Sequence, residues 1–159
     1  MKQNPPVKQN PVVQSILLAD RAFKDARDNK HTVVGIFNKM LLNRKLPKVN
    51  SQHEPQNLER MSGDTQVGTP YAYFSLTEVY GEILLELRFV DLREDKILLQ
   101  TSFRVAAKEA LDTVEGILPM PKLPVNHEGT YALELLSDNE LLGYVRLVVE
   151  KENVLIETS

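Results

Sequence analysis

The chain has 159 residues, with 19 lysines and arginines against 22 aspartates and glutamates for a formal net charge of −3. That length fits one domain with a sizeable core, and the mixed, slightly acidic charge excludes the basic stripe that a nucleic-acid binder needs. No cysteine is present, which excludes disulfides, thiol catalysis and zinc–thiolate sites.

Residues 1–11, MKQNPPVKQNP, are rich in Pro, Asn, Gln and Lys and read as a flexible, extended tail. They hold no apolar run of the signal-peptide kind. No stretch of the chain approaches the roughly 20 apolar residues of a membrane-spanning helix. The expectation is a soluble, cytoplasmic protein without a transmembrane segment, folded as a single domain over residues 12–159.

Residues 12–39 read two ways. Ile16, Ala19, Phe23 and Ala26 recur at helical spacing among good helix formers. The same stretch also reads as a strand that turns at Asp28-Asn29-Lys30 into the β-branched run His31-Thr32-Val33-Val34-Gly35-Ile36-Phe37. Propensity leans to the helix. The pieces Ala19-Asp20, Asn29-Lys30 and Gly35-Ile36-Phe37, with a late Gly129-Thr130-Tyr131, resemble an uncharacterised bacterial family of small β-sandwich proteins. Members open on a Leu-rich strand ending in Ala-Asp or Cys-Asp, turn at Gly-Lys or Asn-Lys, and continue into Gly-Ile-Phe or Gly-Val-Phe. That likeness covers residues 15–150, departs in the polar segment after Pro47, and implies a strand here. It implies a fold and no activity, cofactor or site residue.

Residues 43–70 interrupt the pattern. They hold three prolines, few large apolar side chains and no sustained alternation, and their charges nearly cancel. A structureless connection of that length is uncommon inside a compact domain. It reads as one long polar loop.

The middle of the chain reads as sheet. Tyr71-Ala72-Tyr73-Phe74-Ser75-Leu76 leads into Ile83, Leu85, Leu87 and Phe89, alternating with Glu82, Glu86 and Arg88. Leu92-Arg93-Glu94-Asp95 turns the chain toward Ile97, Leu99, Thr101 and Phe103. The alanines between Arg104 and Leu111 predict a short helix, and Asp112 to Leu118 one more strand before Pro119, Pro121 and Pro124. Near the end, Val154-Leu155-Ile156 reads as cover for a sheet edge.

Residues 129–150 carry the clearest signal. Tyr131, Leu133 and Leu135, then Val145, Leu147 and Val149, recur at every second position around the turn Ser137-Asp138-Asn139-Glu140. Each such side chain contributes about 1.5–3 kcal/mol on burial before ordering entropy is charged. A lone hairpin is marginal, so this one needs a second sheet. Its opening, Gly129-Thr130-Tyr131, resembles the tyrosine corner of immunoglobulin-like sandwiches, in which a tyrosine bonds back to the backbone just upstream; an ordinary core tyrosine after a glycine turn is the other reading.

No sequence motif carries catalysis. His31, His53 and His127 fall on separate elements without metal-ligand spacing, no Gly-x-Ser-x-Gly occurs, and the 7 glycines are spread singly. If about eight strands alternate in direction, the 43–70 segment, the turn from Leu92 to Asp95 and the connection from Pro119 to Glu128 emerge at one end. Loops gathered on a rigid sandwich are where such folds place recognition. His53, Arg60, Arg93, Glu94, Asp95 and His127 are therefore the candidate contacts for a protein partner or a second copy. At the other end Asp25 and Asp28 meet Asp138, Asn139 and Glu140, which could hold Ca2+ with its roughly six to eight oxygen ligands. The expectation is all-β: a two-sheet, antiparallel, immunoglobulin-like sandwich of about seven or eight strands. It is read as a non-enzymatic binding or assembly module without cofactor, with a Ca2+-dependent lipid- or ligand-binding sandwich as the alternative and an enzyme third.

Overall fold

The computed structural model describes residues 9–42 and 69–151, and every regular element among them is a β-strand. In chain order they are β1 (Val12–Lys24), β2 (His31–Ile36), β3 (Lys39–Leu42), β4 (Tyr71–Thr77) and β5 (Gly81–Asp91). β6 (Lys96–Ala107), β7 (Val114–Pro119), β8 (Gly129–Ser137) and β9 (Glu140–Lys151) follow. They form two facing sheets, one of four strands in the order β2-β1-β4-β7 and one of five in the order β3-β9-β8-β5-β6. The two-layer, all-β expectation holds. The expected tail lies outside the described residues through residue 8, and the expected loop through residue 68, with His53 and Arg60 in it; Val154-Leu155-Ile156 also lies outside.

The core follows the two-residue period. Ile16 and Leu18 of β1 and Ala72, Phe74 and Leu76 of β4 face Leu85, Leu87 and Phe89 of β5. Tyr131, Leu133 and Leu135 of β8 and Leu147 and Val149 of β9 complete the layer, and all of these are buried. Phe74 packs on Phe103 at a centroid distance of 5.4 Å. Gly116, opposite Phe74 in the ladder, leaves room for the ring: a Cβ there would lie 2.2 Å from Phe74 Cζ. The turn joining β8 to β9 places Asp138 and Asn139 at φ of 47° and 64°, the left-handed pair that matches strand twist in a two-residue hairpin.

One open reading resolves as the resemblance implied, and two expectations change. Residues 12–24 are strand, because β1 pairs with both β2 and β4, and two ladders outweigh helix propensity. The predicted helix from Arg104 is strand through Ala107. Phe103, Val105 and Ala107 turn toward the core as Leu85, Ile83 and Gly81 pair with them, so alternation decides over alanine content. The described strands number nine rather than seven or eight, and one pair is parallel: β3 lies along β9, Lys39 beside Val148 through Leu42 beside Lys151. β3 has 4 residues, too short a run for its period to show in sequence.

The β1–β2 hairpin does not continue flat from its sheet. β2 and β7 lie at opposite edges, three strand spacings or about 14 Å apart. His31 is level with Lys24, whereas Glu115 is level with Ser75 and so with Ser15, about 30 Å away along an extended strand. Yet His31 Nδ1 is 2.9 Å from Glu115 Oε2, and the His31 and Tyr73 rings are 5.9 Å apart. Both contacts require the hairpin beyond Ala19 to fold back as an arm over the outer face of the four-stranded sheet. Gly35 (φ +70°) allows the bend; it lies against Asp20, whose Oδ2 would be 2.3 Å from a Cβ at that position. The covered face accounts for the burial of Ala19 and Ser75. Ala22, His31 and Val33 are half-buried on the inner face of the arm, while Phe23, Val34 and Ile36 are exposed.

Candidate functional site

Strand β5 runs inward at Leu85, Leu87 and Phe89, and a bulge at Phe89/Val90 precedes Asp91, which pairs with Tyr131 of β8. The period therefore delivers a carboxylate to the buried end of a core strand, where its charge must be met. His127 Nε2 meets Asp91 Oδ2 at 2.5 Å. The backbone N–H groups of Arg93 and Glu94 donate to Asp91 Oδ1 at 3.0 and 3.2 Å. Burial alone would raise the Asp91 carboxyl; the His127 contact and the Glu94 and Arg93 N–H groups outweigh it, and the pKa falls below 3.8.

The other face of His127 is also occupied. Its Nδ1 lies 2.6 Å from the Glu128 carbonyl. That carbonyl and then the Asp91 carboxylate raise its pKa above 6.5, against partial burial and Arg93. Tyr131 donates its hydroxyl to the His127 carbonyl at 2.9 Å and stacks on Phe89 at 5.5 Å, so of the two readings of Gly129-Thr130-Tyr131 the tyrosine corner is the one present. Leu92 N–H bonds to Thr130 O, Arg93 to Glu128 O, Met120 N–H to Pro70 O, and Lys151 N–H to the Glu128 carboxylate. The half-buried acid–imidazole pair and these bonds together tie the β5–β6 turn, the 120–128 connection and the end of β9 into a single rim.

Both ring nitrogens of His127 are committed, so this pair cannot take a proton from a bound nucleophile while the clamp is closed. His127 is part of the frame. Arg93, Glu94 and Asp95 stand exposed on the turn that it holds. The structure brings those three together with His127; His53 and Arg60 lie outside the described residues. Asp91 was missed in the sequence. The available signal was an acid standing one period beyond Phe89 on a core-facing strand.

Beside the rim, the edges of β6 and β7 leave an apolar groove of ≈390 Å3 reaching core residues Leu87 and Phe89 and lined also by Leu99, Leu118 and Met120. The carboxylates proposed for Ca2+ have other partners: Asp25 with Arg27, Asp28 with Lys30, and Glu140 with Asn10. Among the described residues no group of three or more histidines and acids could hold a metal ion, and no helix is long and apolar enough to cross a membrane. No protein-family model matches the chain, and no curated protein is similar to it at a significant level.

Proposed function

We propose that the chain is a non-enzymatic binding module that engages a protein partner through the rim formed by residues 91–96 and 120–129. The observation that carries this reading is the Asp91–His127–Tyr131 clamp beneath an exposed polar turn. Arg93, Glu94 and Asp95 are held in place before any partner arrives, which lowers the ordering cost of association. The neighbouring groove at Leu99, Leu118 and Met120 offers apolar area next to those charges, the combination of anchor and polar border that interfaces use. The calcium-dependent alternative has no comparable support in the arrangement of the acids. A bacterial source and a cytoplasmic setting belong to the proposal on sequence grounds.

Affinity capture tests it, comparing the native chain with the double variant Glu94→Lys, Asp95→Asn, whose exposed side chains take no part in the clamp. The reading predicts that specific co-purifying protein is lost from the variant while its melting temperature is unchanged. Identical capture by both chains would contradict it.

A further inference from the structure

At the far end of the sandwich from the rim, the arm tip and the segment 106–115 enclose an open, mainly polar cleft of ≈480 Å3. Lys24 reaches it from the arm, and Lys108 from the link after β6. Neither ammonium group has an ion-pair partner among the described residues. The acids Asp112 and Glu115 line the same cleft, and each accepts a hydrogen bond while keeping its charge. Glu115 Oε2 accepts the Tyr73 hydroxyl at 2.7 Å and faces His31 Nδ1 at 2.9 Å, off the line of a hydrogen bond. Asp112 Oδ2 accepts the Glu109 N–H at 3.2 Å. Asn29, held in a left-handed turn at φ 58°, and Thr113 add an amide and a hydroxyl to the lining.

The groups left to donate are therefore two ammoniums and two neutral donors, on two elements that no ladder joins. We propose that this cleft binds a small oxyanion, a phosphate or carboxylate group, which bridges Lys24 of the arm to Lys108 of the body. Ammonium-to-oxyanion hydrogen bonds are among the stronger polar contacts. The cleft is open to water and Asp112 and Glu115 offset the two lysine charges, so the affinity stays modest, with a Kd on the order of 1 mM. Occupancy would add a tie between arm and sandwich beyond the His31–Glu115 contact.

The test is an amide-resolved NMR titration of the full chain with inorganic phosphate and, separately, acetate, each against sodium chloride at equal ionic strength. The proposal predicts saturable shifts centred on Lys24, Asn29, Lys108 and Thr113, and the stronger of the two probes identifies the oxyanion class. Lys24→Gln with Lys108→Gln, both at exposed positions, should weaken binding about tenfold or more while the rest of the spectrum superimposes. Shifts that match chloride for both probes, or an unchanged Kd in the double variant, would overturn it.

Discussion

Asp91 and His127 stabilise each other as ions, and their pH dependence follows from the two shifts. The His127 pKa is raised above 6.5, so its contribution is complete below 6.5 and is lost as pH climbs through the folded value. The Asp91 pKa is lowered below 3.8, so its contribution is complete above 3.8 and is lost as pH falls through the folded value. Both are present between 3.8 and 6.5. The melting-temperature gap between the native chain and His127→Gln should be widest in that window and narrow above it; a gap that does not change with pH would remove the ion pair from the account. Tyr131→Phe deletes one hydrogen bond from a buried ring and should cost about 0.5–1.5 kcal/mol in denaturant unfolding. Gly116→Ala should cost about 1–3 kcal/mol by overpacking Phe74, and Phe74→Leu in the same chain should recover part of it. Some of this was legible before folding. Tyr131 after Gly129 announces a corner, and Asp138-Asn139 announces the hairpin turn. The partner of Asp91 was not, because His127 stands in another loop far along the chain and no spacing links the two.

At the scale of elements, period and propensity compete, and the ladder decides. The alternations through β5, β8 and β9 were plain because each strand buries one face against a whole sheet. The arm was harder to read. Its inner face rests on the outside of a sheet, so Ala22, His31 and Val33 are half-buried while Phe23 and Val34 stay exposed, and neither period is clean. The short motifs at Ala19-Asp20, Asn29-Lys30 and Gly35-Ile36 occupy the bend and tip of this arm, and its physical demands fall there. Gly35→Ala places a Cβ on Asp20 and forces a left-handed residue to carry a side chain. It should destabilise by about 1 kcal/mol or more. Hydrogen exchange should quicken in residues 20–36 before it quickens in β8. Equal effects in both would mean that the arm is not a separate element.

For the molecule as a whole, the two ends of the sandwich have different construction. One is a rim closed by a half-buried ion pair and an aromatic stack, with a charged turn facing outward. The other is a cleft that exists only because the arm folds back to meet Glu115 and Tyr73. The sandwich was legible in the chain because alternation is local. This division of the ends was not, because it depends on where a hairpin bends in space. The most direct test is a nuclear Overhauser measurement between the His31 and Tyr73 rings, with the Phe89–Tyr131 stack as internal reference. Folded-back geometry, with the His31 and Tyr73 centroids 5.9 Å apart, predicts a cross-peak in both pairs. A flat hairpin would hold His31 about 25 Å from Tyr73. A signal from the reference pair alone would contradict the folded arm and the cleft beneath its tip.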